Sequence, residues 1–257
     1  MLDHIDGFSP SEVAAFKGMS RASAARFYGW VDRLARLLTV EVEGMDRLPK
    51  GRALLVANHT FSLDVLFPMS AVFHATGRIV WALGDHTWWR LPFVRRIAAG
   101  LGTVDGTPEN VDRLLRGDQL VLVLPGGLRE AMKPSELRYR LLWGHRYGFI
   151  RAALRNGAPI VPLAMVGADD IFDFVGDAFR RGARLGVPIP KPAHGLPIPH
   201  RVKVRALFGE PITLRARPEE ADDMDALRHC RHEVEGALHE LIEAELARRA
   251  GYAPHRC

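Results

Sequence analysis

A chain of 257 residues, 47% hydrophobic and 25% charged, is long enough for a large core and too apolar for disorder to be its default state. Its net charge of +5 calls for an anionic partner, and its two cysteines, Cys230 and Cys257, are too few for a disulfide framework and lack metal-ligand spacing. No signal-peptide hydrophobic region opens the chain, and no apolar run approaches the roughly 18 residues of a membrane span, so synthesis in the cytosol without a transmembrane helix is expected.

Residues 1 to about 18 carry no pattern. From Ser20 to Leu38, Phe27, Trp30, Val31, Leu34, Leu37 and Leu38 recur at helical spacing, flanked by Arg21, Arg26, Arg33 and Arg36. Such a basic amphipathic helix either lies in a membrane interface or packs on its own domain. Strands are predicted at Leu38–Val42, Ala53–Ala57 and Arg78–Leu83, with a helix over Leu63–Phe73. The segment Trp88–Arg96 holds Trp88, Trp89, a proline, Arg95 and Arg96. Tryptophan and arginine each pair an apolar body with a polar tip, which suits a water–lipid boundary; a cap over the core is the other reading.

Gly100–Val104 reads as a short glycine-flanked strand or a turn, and Pro108–Gly117 as a helix with proline in its first turn and glycine past its end. Gln119–Leu124 is a continuous apolar strand, covered on both faces as parallel strands are. A helix over Trp143–Asn156, a strand over Pro159–Val166, an irregular Gly- and Pro-rich stretch over Gly182–His200 and a strand over Val202–Phe208 follow. Pro218–Arg249 reads as one long helix, acidic at its start and arginine-rich at its end, as the helix dipole favours. Strands alternating with helices predict an α/β fold: a mostly parallel central sheet flanked by helices, with an N-terminal amphipathic helix and a long C-terminal helix. Residues 1–39 are expected to form a helical, membrane-associating segment, and residues 40–257 a single α/β domain.

Two turns stand where such sheets gather ligands, beyond the carboxyl ends of strands. The first, Asn58-His59-Thr60-Phe61-Ser62-Leu63-Asp64, follows the strand Ala53–Ala57 and leads into a helix. It places a general base, His59, near a carboxylate, Asp64, that can set its tautomer. Lacking a nucleophile of its own, the pair is suited to deprotonating a substrate hydroxyl. The same spacing also arises as a turn histidine and a helix-start aspartate with no chemistry. The second turn, Pro125-Gly126-Gly127, offers unobstructed backbone N–H groups to an anion or a developing oxyanion, or is simply a tight turn. Arg129 adds a positive charge there, and Glu130 can orient it through an ion pair. The signatures of dinucleotide, P-loop and serine-hydrolase sites are missing from the sequence.

Together these blocks resemble the glycerolipid acyltransferase superfamily, which includes the lysophosphatidic acid acyltransferases. Asn58–Asp64 is similar to its N-H-x-x-x-x-D block, and Leu124–Glu130 (Leu-Pro-Gly-Gly-Leu-Arg-Glu) stands where the superfamily has F-P-E-G-T-R-S. The P-G-G-x-R-E form, with Tyr139–Phe149 following, is closer to the diacylglycerol-acyltransferase and phytyl-ester-synthase-like branch. Pro159–Leu163 and Phe208–Ile212 resemble later blocks, so the resemblance runs from about residue 40 to about residue 215.

The resemblance implies direct attack of an acceptor alkoxide on an acyl thioester, with His59 as base and Asp64 holding its ring. The thioester is that of acyl-CoA or acyl carrier protein, and neither cofactor nor metal takes part. Asn58, Ser62, Gly126, Gly127, Arg129 and Glu130 are the substrate-binding residues it suggests. Gly102–Glu109 lacks the arginine that reads phosphate in the superfamily, and Gly126 replaces the E-G-T-R glutamate. Both departures favour a neutral acceptor such as mono- or diacylglycerol or a long-chain alcohol. The alternatives are a lysophosphatidate-type acyltransferase, with Arg95 or Arg96 reading the phosphate, and a lipid-binding protein of the same fold without turnover. The expected partners are therefore acyl thioester, lipid acceptor and the cytoplasmic face of a membrane, touched by Phe27, Trp30, Trp88, Trp89, Arg95 and Arg96. Nucleic acid is not expected, and the sequence leaves the oligomeric state open.

Overall fold

Runs such as Leu54-Leu55-Val56 and Ile160-Val161 leave no polar face to turn toward water, so strands built from them need cover on both sides. In the computed structural model, which describes residues 21–60, 64–84, 102–131, 133–171 and 200–251, every residue of β2 (Ala53–Ala57) and β6 (Ile160–Val166) is buried. Around them stand β1 (Val40–Glu43), β3 (Val80–Gly84), β4 (Thr103–Asp105), β5 (Leu120–Val123) and β7 (Val204–Phe208). The seven strands form one sheet in the order β1-β7-β6-β2-β5-β3-β4. All neighbours pair in parallel except β6 with β7.

β2 is therefore central, with Leu54 facing Val121 on one side and Ile160 on the other. Because β2, β5 and β6 run the same way, the segments that leave their carboxyl ends meet at one edge of the sheet. These segments begin at Asn58, Leu124 and Gly167. That edge holds the site described below.

The helices among the described residues are α1 (Arg21–Leu38), α2 (Leu66–Thr76), α3 (Pro108–Arg116), α4 (Gly127–Ala131), α5 (Gly148–Asn156) and α6 (Met224–Gly251). α1 packs on α2, α3 on α5, and α6 along β6. Trp81, Trp143, Tyr28 and Phe208 are the bulkiest fully buried side chains. The α/β fold with a mostly parallel sheet and a long helix near the C-terminal end is as the residue pattern predicts.

Three predicted helices begin later than expected, the first being α2, which starts at Leu66 instead of Leu63. Trp143–Tyr147 is a turn, because Gly144 takes φ +55° and the Trp143 ring is buried edge-on against Phe149 at 5.4 Å; helix α5 starts only at Gly148. The long helix is broken after a 3-10 turn at Pro218–Glu220. Asp223 then accepts the N–H groups of Asp225 and Ala226 at 2.8 and 3.2 Å and opens α6 as its N-cap. On α1 the buried face is Ala24, Tyr28 and Val31, and Phe27 is half-buried against Tyr28. Tyr28 meets Phe73 of α2 at 5.2 Å, and Asp32 takes a 2.6 Å bond from Ser70 and a 2.8 Å contact from His74. These contacts turn α1 so that Trp30, placed by spacing on the apolar face, stands 71% exposed. Phe27 is thus part of the inner packing, and Trp30 is the aromatic of α1 left open to the outside.

Candidate active site at the carboxyl ends of three strands

Where β2 ends, the Asn58 side chain continues the ladder that the backbone gives up. Its Nδ2 donates to Met165 O at 2.9 Å, and its Oδ1 accepts from Met165 N at 2.7 Å. Both of its polar atoms bond β6, so Asn58 shapes the turn. The next residue, His59, is held through its peptide. Its N–H donates to Glu130 Oε1 at 2.7 Å, and its carbonyl accepts from Lys133 Nζ at 2.9 Å.

Glu130 is fully buried, and its second oxygen accepts the Leu142 N–H at 2.7 Å. It forms no ion pair with Arg129 among the described residues, contrary to the expected orientation of that arginine. Its carboxylate instead ties the histidine turn to the glycine turn and to the stretch before α5. Burial pushes Glu130 up to about 7, against the His59 and Leu142 N–H groups and Lys133, which hold it down.

The two glycines are required by close approach. A Cβ on Gly126 would overlap the Glu130 side chain, and one on Gly127, where φ is +53°, would lie 2.6 Å from Arg146 Nη1. The Gly127 N–H closes the turn onto Leu124 O at 3.0 Å, so it is not free to hold an oxyanion. Arg146 Nη1 also donates to Pro125 O at 2.6 Å, fixing a guanidinium beside this turn. Arg129 lies exposed on α4.

Asp64 is 2% exposed, and its Oδ2 accepts both the N–H of Thr60, at 3.2 Å, and the Thr60 hydroxyl. His59 is 8% exposed. No bond joins the two residues; instead His59 Nδ1 and Asp64 Oδ1 are both buried and without a hydrogen-bond partner among the described residues. Burial, reinforced by the charge of Lys133, holds the imidazole down at about 3. Burial likewise raises Asp64 to about 7, against its bonds to Thr60 and Val65. Burial thus keeps the imidazole neutral, and it raises the Asp64 carboxyl toward neutrality.

Ser62, Trp88, Trp89, Arg95 and Arg96 lie outside the described residues. Motif reading missed Lys133, Arg146 and Asp169. Lys133 sits three residues after Glu130, and Asp169 just beyond β6, the kind of position where functional groups of parallel sheets gather. Arg146 falls inside the Trp-Gly-His-Arg stretch, which was read only as a block match.

Residues 39–166, which span β1 to β6 and both turns, match the family model described as Acyltransferase. A Mus musculus protein named "DGAT1/2-independent enzyme synthesizing storage lipids" is 29% identical over 182 residues, covering 67% of this chain and 52% of its own length. An uncharacterized protein of Mycobacterium tuberculosis is 34% identical over 199 residues, or 72% of this chain and 55% of that protein. The chain thus spans about half the length of these curated relatives. The crystal structure of the 1-acyl-sn-glycerophosphate (LPA) acyltransferase PlsC from Thermotoga maritima shares the fold. It aligns with a TM-score of 0.54 at 18% identity over 89% of this chain and 86% of that one. The chain belongs to the glycerolipid acyltransferase superfamily.

Proposed function

We propose that this chain is an O-acyltransferase that moves a fatty acyl group from an acyl thioester, on CoA or a carrier protein, to a neutral lipid hydroxyl. The observation that carries the reading is the pair of buried, unpartnered atoms His59 Nδ1 and Asp64 Oδ1 on one turn. Buried polar atoms are rarely left unbonded, and an N–H on Nδ1 given to Oδ1 satisfies both. That bond leaves Nε2 to take the proton of an acceptor hydroxyl. The alkoxide attacks the thioester carbonyl, the C–S bond breaks, and the proton passes to the departing sulfur. Asp64 fixes the tautomer and balances the transient imidazolium.

A neutral acceptor such as mono- or diacylglycerol or a long-chain alcohol is supported by Gly102–Glu109, which carries no arginine, and by Gly126 in place of a glutamate. The printed name of the mouse relative, a synthesiser of storage lipids, agrees with it. The Arg146 guanidinium beside Gly127 favours a second reading, a lysophosphatidate-type acceptor read through its phosphate. Peripheral attachment to a membrane is supported by Trp30, and among the described residues no helix is long and apolar enough to cross one.

The test is free-thiol release from a long-chain acyl-CoA with a panel of acceptors, for wild type and His59→Ala. Release that needs a neutral alcohol, and falls at least about 100-fold in the folded variant, is the expected result. Release with lysophosphatidate alone moves the assignment to the second reading. Near-wild-type turnover in His59→Ala overturns the role of the base.

A further inference from the structure

His59 is gripped on both sides of its peptide by charged side chains from one short segment, Glu130 on the N–H and Lys133 on the carbonyl. Lys133 is only 6% exposed. Its ammonium pairs with Asp169 Oδ1 at 3.0 Å and reaches Glu130 O at 3.5 Å. Asp169 is anchored in turn: its Oδ2 accepts the Tyr139 N–H at 2.8 Å, and its carbonyl accepts Arg138 Nε at 3.0 Å. Removing an ammonium from water costs several kcal/mol before its partners offset the loss, and an apolar side chain of similar size fills such a space at less cost. A buried lysine at this position therefore calls for a role beyond packing.

The groups around His59 come from three directions. Asp64 follows on its own turn, Glu130 and Lys133 come from α4 and the residues after it, and Asp169, with Asp170 beside it, comes from beyond β6. Of these, Lys133 is the one whose charge opposes protonation of the imidazole. Resting on the reading of His59 as the base, we propose that Lys133, anchored by Asp169, is a positioning residue for acyl transfer. It fixes the peptide that carries His59 and sets a permanent positive charge beside the imidazole. That charge adds to burial, the larger cause, in keeping the base unprotonated before substrate arrives. With Asp64 balancing the transient imidazolium, the charge disfavours a lasting one, so the proton taken from the hydroxyl is passed on to the leaving sulfur and the base is regenerated for the next turnover.

The experiment is an NMR titration of the full chain carrying labelled histidine, run beside pH profiles of kcat/KM, for wild type, Lys133→Met, Lys133→Gln and Lys133→Arg. In the two charge-free variants His59 is expected to gain its proton at least about one pH unit higher than in wild type, tenfold in proton affinity. The acid limb of kcat/KM shifts with it, and kcat falls more than KM for acyl-CoA changes. Lys133→Arg keeps the charge and restores the wild-type titration. Should Met not fold, Gln, which can still donate to the His59 carbonyl, gives the same reading. An unchanged His59 midpoint in a folded charge-free variant overturns the proposal. So does failure of both charge-free variants to fold while Arg folds, because Lys133 is then structural only. The midpoint does not depend on turnover, so loss of the His59 base assignment and loss of this inference are separately visible.

Discussion

His59 gives up most of its hydration on folding and regains no partner on Nδ1, which is why its neutral form is favoured. A histidine held at about 3, below its ordinary 6.5, refuses in the folded state a proton that the unfolded chain takes up. The stability tied to it is whole above about 6.5 and drains as pH falls toward the folded value, by about 1.4 kcal/mol per pH unit. His59→Gln removes that drain. Denaturant melts at pH 7 and pH 5 should therefore show the variant gaining on wild type as pH falls; a gap that does not change with pH would contradict the burial argument. Asp64 and Glu130, both raised to about 7, act with the opposite sign. Their contribution is present at acid pH and is lost as pH rises from about 4 through about 7.

Short connections between elements carry the site, and they differ in what they tolerate. Gly126→Ala places a Cβ inside the volume of the Glu130 side chain, so Glu130 must leave the N–H groups of His59 and Leu142. Overpacking and stranded donors each cost about 1–3 kcal/mol, and the histidine turn loses its tie as well. The expected result is a lower Tm together with loss of acyl transfer. Asp223→Ala removes the cap of α6, far along the chain from the site, and should cost about 1 kcal/mol with turnover unchanged. Measuring both variants by thermal melt and thiol release separates the turn that builds the site from the cap that only starts a helix.

At the level of the whole molecule, a parallel arrangement of β2, β5 and β6 collects three loops at one edge, and the net charge of +5 has the sign that the proposed contact with anionic lipid requires. Trp30, 71% exposed on α1 with the exposed Arg26 and Arg33 on the same helix, supplies an aromatic and cations suited to a lipid interface. Sedimentation with anionic vesicles should weaken in Trp30→Ala and weaken further with added salt. Unchanged sedimentation would remove α1 from the membrane-contact surface.

The strands, the two turns and the spacing of His59 and Asp64 were legible in the sequence because each is written locally. Unbroken apolar runs such as Gln119–Leu124 suit only covered strands, and Pro-Gly-Gly after one of them allows little but a tight turn. The later starts of α5 and α6 were not, since a left-handed glycine and a capping aspartate act through backbone geometry that helical spacing does not record. Nor did spacing show which way α1 would face, because Tyr28 and Asp32 are chosen by α2. The site's inner wiring was likewise decided by tertiary structure. Asn58 bonds Met165 across 107 positions, Glu130 takes the His59 N–H across 71, and Lys133 reaches the His59 carbonyl across 74. Such partners are set by the order of strands in the sheet, and hydrophobic periodicity, which records only whether a residue faces inward, holds no information about what it will meet there.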